Sequence, residues 1–286
     1  MRFHLLMLSV ALAAIAAPAR AADGWSFSTG ADYTTGDYGE DQDTDIFIVP
    51  FTVTYWSPHW RFGVTAPYVR LEGSGNIIPG TGAGAGSGAS GGGGPLGLGG
   101  SGGLLNSGLF GSSAPSASPP PPPPPTPARI EEDGLGDVTL SLAAIPYIGG
   151  GGDSFTLGLD VRTPTGDETR SLGAGQTIAA MSAEYAFPLG SRAAMYGLVG
   201  YQRALDTEDD AMTAGAGVEG FVAERLLLGL SATWAEASLP DQANQTQATL
   251  YAGFNATDHV RLVGYALAGL SDSAPDSGGG VRIVLH

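Results

Sequence analysis

Seven charged residues sit where an alternating strand turns one face away from its apolar neighbours: Asp32, Arg61, Asp160, Arg162, Glu184, Glu219 and Arg261. The same face otherwise carries mostly Gly, Ser, Thr and Ala. Four acids and three arginines in such a setting support two kinds of chemistry. They line a narrow polar path, or they pair into a salt-bridge network that seals it. Other reactive groups offer less. The histidines are His4, His59, His259 and His286, and none falls near a serine in a pattern that suggests acyl transfer. With no cysteine, thiol catalysis and disulfides are excluded. With no lysine, the glycine-rich tracts cannot complete a phosphate-binding loop. Asp41-Gln42-Asp43-Thr44-Asp45 resembles the opening of a calcium loop, but the required glycine and closing glutamate are absent. Together with Glu208, Asp209 and Asp210 it forms a weak divalent-ion rim or a solvated acidic surface. The expectation is a protein that is not an enzyme and has no cofactor and no metal site.

These charges must be positioned by strands. Apolar and polar residues alternate through about twelve short segments, the period of a sheet with two different faces. Phe47, Val49, Phe51, Val53 and Tyr55 form one apolar row, and Phe62, Val64, Ala66 and Tyr68 a second. Phe155, Leu157, Leu159 and Val161 make another, as do Leu226, Leu228, Leu230, Ala232 and Trp234. A helical reading fails because glycine recurs within nearly every segment, at a cost of about 1 kcal/mol each in a helix. No stretch approaches the ~20 apolar residues of a membrane helix.

Connections separate a membrane barrel from a soluble sandwich. The odd-numbered ones are extended, at 34–45, 71–133, 164–176, 203–211, 236–247 and 271–278. The even ones are tight, at 57–59, 148–154, 189–192, 224–225 and 256–259. Short periplasmic turns opposite long external loops are the rule for outer-membrane barrels, and a sandwich gives no reason for this segregation. Charge divides the same way: the odd connections hold nineteen acids against Arg129, Arg170 and Arg203. The fold class is therefore all-β, a transmembrane antiparallel up-and-down β-barrel of about twelve strands with a long low-complexity external loop.

That loop, 73–129, is uncharged from 73 to 128, is Gly/Ser-rich, and ends in seven consecutive prolines from Pro119 to Pro125. Its composition suits disorder ending in a stiff polyproline spacer. At the other extreme of the chain, Arg2, the apolar run from Leu5 to Ala17 and Ala19-Arg20-Ala21 make a signal peptide over 1–21, with the barrel occupying 22–286. Export and parity together place the protein in the outer membrane of a Gram-negative bacterium. The net charge of −16 argues against a nucleic-acid partner, leaving outer-membrane lipid and lipopolysaccharide as the surroundings.

One region carries a family likeness. Gly134-Leu135-Gly136-Asp137-Val138 opens a strand, Pro164-Thr165-Gly166-Asp167 ends the next, and Leu172-Gly173-Ala174-Gly175 follows. This pattern resembles the outer-membrane transporter-like family labelled "MetA-pathway of phenol degradation". The resemblance implies a barrel for uptake of aromatic or hydrophobic compounds. The Gly/Pro insertion departs from the family pattern, and so does the ending in His286 where such barrels carry an aromatic residue. Read locally, the motifs are turn chemistry, with Pro164 ending pairing and Gly166-Asp167 turning the chain.

The functional expectation is an outer-membrane channel for passive uptake of small hydrophobic or aromatic solutes. The alternative is a non-conducting structural or surface-interaction barrel, and the sequence leaves oligomeric state open. Interfacial rings should form two belts: Trp25, Tyr55, Trp56 and Trp60 at the periplasmic edge, Tyr68 and Trp234 at the outer edge.

Overall fold

The computed structural model describes residues 24–39, 42–57, 59–73, 129–149, 152–207, 209–237 and 243–286. The signal segment at 1–21 and nearly all of the 73–129 insertion lie outside the described residues. In chain order the strands are β1 (Trp25–Gly36), β2 (Thr44–Trp56), β3 (Trp60–Gly73), β4 (Ile130–Leu135), β5 (Val138–Ile148), β6 (Ser154–Thr163) and β7 (Ile178–Pro188). They continue as β8 (Ala193–Ala204), β9 (Asp210–Ala223), β10 (Leu226–Ala235), β11 (Gln245–Asn255), β12 (Val260–Gly269) and β13 (Ser277–Leu285). Each pairs antiparallel with its sequence neighbour, save β4 with β5, and β1 also pairs with β13 from Phe27↔Leu285 to Thr35↔Ser277. The sheet is thus a closed barrel.

Thirteen segments make twelve staves because β4 and β5 share one. β3 pairs with β5 up to Thr65↔Thr139 and with β4 from Tyr68↔Leu135 onward. Between them Ala66 and Pro67 face three residues, Gly136, Asp137 and Val138. Proline has no N–H to donate, so the ladder cannot run through this point. Gly136 N–H still donates to the Pro67 carbonyl at 2.9 Å, which spares one acceptor. The expected opening of a strand at Gly134–Val138 and external loop over 71–133 are corrected by this arrangement. Strand β3 runs on to Gly73, and the returning stave begins at Ile130.

Parity along the strands follows the sequence. Phe47, Tyr55, Phe62, Leu157, Leu159, Leu228, Leu230 and Leu250 face outward and exposed, while Thr52, Thr54, Thr65, Ser141, Ser231 and Thr249 face inward and buried. Lipid-facing rows need no partner other than acyl chains, so an exposed apolar surface is the expected state of a membrane wall.

Outward rings occupy two levels. Trp25 and Tyr55 are cross-strand partners in an edge-to-face pair, centroids 5.2 Å apart, with Trp60 close by at the foot of β3. Eight residues further along the same strands stand Tyr33 and Tyr68. That spacing is about 26 Å along the strand at ~3.3 Å per residue, or about 20 Å of height at a tilt near 40°. At the outer level Tyr33 donates to Asp45 at 2.7 Å, Tyr68 to Asp133, and Tyr201 to Asp210 at 2.8 Å. At the turn end Tyr185 donates to Asp153 at 2.9 Å. Each phenol bridges the apolar band to the first charged level beyond it.

Trp56 does not belong to the belt. Its partner across the β2–β3 ladder is the inward Arg61, whose guanidinium lies 4.6 Å from the Trp56 ring centroid. The indole N–H donates to the Ser26 hydroxyl at 2.7 Å. Parity turns this tryptophan into the lumen, where it supplies a cation–π platform.

The register yields a direct check. Leu230→Arg, on the lipid face of β10, should cost about 2–4 kcal/mol in a urea-titrated folding equilibrium into lipid vesicles. Unchanged stability would mean that β10 is one residue out of register.

Candidate functional site: the lumen and its outer mouth

The lumen divides into an apolar mouth and a polar body. Near the ends that carry the long connections, Ile46, Ile48 and Val69 of β2 and β3 point inward and pack with Tyr38 and Leu172. Tyr38 follows β1, and its hydroxyl donates to Thr34 at 2.8 Å. Burial holds its phenol well above the usual tyrosine range. Leu172 reaches the cluster from the segment 164–177, which folds inward rather than standing out as an external loop. Burying such a leucine contributes about 1.5–3 kcal/mol.

The family-like motifs build this inward fold. Asp137, freed from ladder pairing by the break opposite Pro67, accepts from the Gly166 N–H at 2.9 Å and from the Ala174 N–H at 2.7 Å. One carboxylate thereby clips both ends of the segment that carries Leu172. Hydrogen bonds to a charged acceptor are worth about 1.5–3 kcal/mol each. A Cβ on Gly173 would lie 2.4 Å from Asp137 Oδ1, so glycine is required for the carboxylate to reach the backbone. A Cβ on Gly134 would lie 2.8 Å from Leu172 Cδ1, so that glycine makes room for the leucine. Between the clipped ends runs a single 3-10 turn, Glu168–Arg170. It is capped by Asp167, whose side chain accepts from the Thr169 N–H and hydroxyl, and these bonds hold its carboxyl below the usual range. Arg170 bridges to Glu132 at 2.6 Å. The turn-chemistry reading of the motifs was too local, since residues from three parts of the chain meet in one structure.

The polar body holds the seven sequence candidates. Asp32 is 4% exposed, receives the Tyr265 hydroxyl at 2.8 Å and is bridged by Arg282 at 3.3 Å. Glu219, 2% exposed, receives the Tyr251 hydroxyl at 3.2 Å and interacts electrostatically with Arg261. Arg261 also donates to the Asn255 amide oxygen at 2.8 Å. Arg61 interacts electrostatically with the buried Glu184. Arg162 is enclosed beside Asp160 and Asp137. Every one of the seven therefore has an opposite charge nearby, distributed over four groups rather than one centre.

Sequence reasoning missed Arg282, Asp137 and the aromatic members. Tyr196, Tyr251 and Tyr265 face inward, and each ring lies against a glycine of the neighbouring strand. Cβ atoms added to Gly217, Gly229 and Gly280 would come within 2.4, 2.1 and 2.6 Å of the three rings. Tyr251 and Tyr265 are direct cross-strand partners. A glycine on the inward row opposite a tyrosine is the signal that would have found them, because the ring covers the bare backbone.

Other sequence candidates are occupied or dispersed. Asp45, in the calcium-like stretch, accepts from Tyr33 and bridges to Arg129 at 2.7 Å. Asp41 and Glu208 lie outside the described residues. His59 sits 3.3 Å from the Ile145 carbonyl, while the His286 N–H donates to the His259 carbonyl at 2.9 Å. Among the described residues no group of three or more potential ligands could hold a metal ion.

No family model matches the chain, and no curated protein matches it. Solved structures share the fold. An outer-membrane channel from Pseudomonas putida F1 superposes with a TM-score of 0.61 at 15% identity, covering 93% of this chain and 97% of that one. The translocator domain of the autotransporter NalP from Neisseria meningitidis gives 0.52 at 9% identity, over 99% and 96%. At such identities the shared feature is the barrel itself. The chain has the fold of a Gram-negative outer-membrane β-barrel, closed with twelve antiparallel staves.

Two outcomes follow from the polar groups. Arg282→Met leaves the Asp32 carboxylate buried without its countercharge and should cost about 3–5 kcal/mol in urea unfolding, much of it recovered by adding Asp32→Asn. A single variant as stable as the parent would show that the pair is not closed in the membrane. The second outcome concerns His286, whose imidazole is held below the usual 6.5 by burial, then by the charges of Arg261 and His259. As pH falls below 6.5 the unfolded chain binds a proton that the native state resists, so stability drops with acidification. His286→Phe should lose less stability than the parent between pH 7.5 and 5.5, and equal losses would contradict the burial.

Proposed function

We propose that the protein is a passive outer-membrane channel for small hydrophobic or aromatic compounds. One observation carries the reading: an inward apolar cluster of Tyr38, Ile46, Ile48, Val69 and Leu172 at the mouth of the barrel. A water-filled sugar or ion pore gains nothing from such a lining, whereas an apolar solute is stabilised there by about 25 cal/mol per Å² of surface removed from water. The resemblance of the 134–203 region to the transporter-like family supports the same solutes, and the fold is shared with a protein described as an outer-membrane channel. The reading places the protein in the outer membrane after signal-peptide export, in contact with lipid and lipopolysaccharide, without enzymatic activity.

The paired charges of the polar body favour a second reading, a non-conducting barrel held shut by its ion pairs. Whole-cell uptake separates the two, because the lipopolysaccharide leaflet is the barrier that a hydrocarbon meets. A deletion strain should take up limiting radiolabelled aromatic and aliphatic compounds several-fold more slowly than the parent. Restored uptake on complementation with the wild-type gene, but not with Ile48→Asp, supports the channel. Equal uptake with and without the gene overturns it in favour of the closed barrel.

A further inference from the structure

We propose that the segment 164–177 is a displaceable plug, that Asp137 is its latch, and that Leu172 occupies the place a hydrocarbon takes on entering. The plug rests on the channel reading for its purpose, but the latch is a matter of geometry alone.

Several observations single this segment out. It contributes no strand to the wall, although it connects two full staves, β6 and β7. Between 164 and 177 Leu172 is the single buried apolar side chain, 2% exposed, and the flanking residues from Pro164 to Arg170 are half-buried or exposed. An inward leucine carried by a segment whose other side chains are mostly polar is built to be withdrawn without unfolding the wall. The turn that would carry the motion is equipped for it: Ser171 and Gly175 stand at φ 56° and 66°, and glycines flank the leucine at 166 and 173. A residue in the left-handed region and bare backbone on both sides let the short 3-10 turn re-aim its side chain.

The stretch from Gly166 to Ala174, which carries Leu172, is tied to the wall mainly by one side chain. Asp137 accepts from backbone donors at both ends, Gly166 and Ala174. The remaining charged tie, Arg170 to Glu132, joins an exposed arginine to a half-buried glutamate near the surface and is worth at most about 1 kcal/mol. Thr165 adds a short stitch, its hydroxyl accepting from Val138 N–H at 2.8 Å and donating to the Gly136 carbonyl at 3.2 Å. That stitch anchors the first residues of the segment, while Thr207 donating to Gln176 at 3.1 Å and the Thr177 N–H donating to Asp206 at 3.1 Å anchor the last, so the stretch between them that carries Leu172 is the part that moves. With Leu172 withdrawn, the cup of Tyr38, Ile46, Ile48 and Val69 faces the mouth. A solute with the bulk of one or two isobutyl groups restores the buried contacts that the leucine gives up, so exchange carries little net cost.

The chain has no cysteine, so a single introduced thiol reports on the plug. Leu172→Cys in the full-length protein should react slowly with a water-soluble maleimide. Adding Asp137→Ala should raise the rate by at least about tenfold, the change expected from losing even one charge-assisted hydrogen bond. Asp137→Asn, which keeps one acceptor oxygen, should fall between. Heat-modifiable migration on gels checks that each variant remains a folded barrel. Equal rates in folded parent and folded Asp137→Ala overturn the latch.

A second measurement stands even where Asp137→Ala does not fold. Gly134→Cys with Leu172→Cys brings two thiols to the point where Gly134 already borders the leucine. Oxidised, the pair should abolish hydrocarbon uptake in cells, and reduction should restore it. Equal uptake in both forms refutes the plug. Faster labelling in the Asp137 variants, with no gene-dependent uptake in any form, retains the latch and overturns the channel reading alone.

Discussion

Inside hydrocarbon every backbone N–H and C=O must find its partner within the protein, because each unpaired group costs several kcal/mol there. The antiparallel ladder between β1 and β13 meets that demand by removing both edges of the sheet at once. Closure fixes the parity of each stave, and parity fixes which side chains meet lipid and which meet the lumen. Tyrosines that donate to Asp45, Asp133, Asp210 and Asp153 then mark the levels where hydrocarbon gives way to charge. None of these features could be kept if the ladder were one residue out of register.

Against that background a proline in mid-wall is costly, and the structure uses the resulting gap. Pro67 withholds a donor, the opposing stave divides at Gly136–Asp137, and an aspartate that would otherwise lie in a ladder is released to bind backbone donors of another segment. The apolar mouth follows from this break. Leu172 could not reach Ile48 and Val69 if the stave continued unbroken and the following connection stood clear of the barrel. A defect in the sheet and the composition of the mouth are therefore one feature.

The barrel was legible in the sequence because its two governing signals are periodic. Alternation at period two placed Leu228, Leu230 and Leu250 outward and Asp32, Glu184 and Glu219 inward without any tertiary knowledge, and connection lengths oriented the whole. Where the pattern is not periodic, legibility ends. Segment 164–177 has no repeat that says whether it stands out or folds in, and its direction is decided by two hydrogen bonds to a residue some thirty positions earlier. Trp56 was assigned by residue type to the interface, although its even position on β2 already put it opposite the apolar row. Arg282 was overlooked because three glycines precede it and blur the alternation. The break at Pro67 needed the identity of the facing residues, which only the register supplies.

Glycines 217, 229 and 280 carry a consequence for how such a barrel diversifies. Each lets a tyrosine ring lie flat against the wall instead of leaning across the bore. A methyl group at any of them would tilt the ring into the free space, narrowing the calibre while leaving every charge, every ladder hydrogen bond and the lipid face as they are. Bore and fold are thus separable variables. A lineage can retune what fits through the barrel by exchanging residues that touch no solute, and a search for selectivity confined to the polar and charged side chains would overlook the positions that set it.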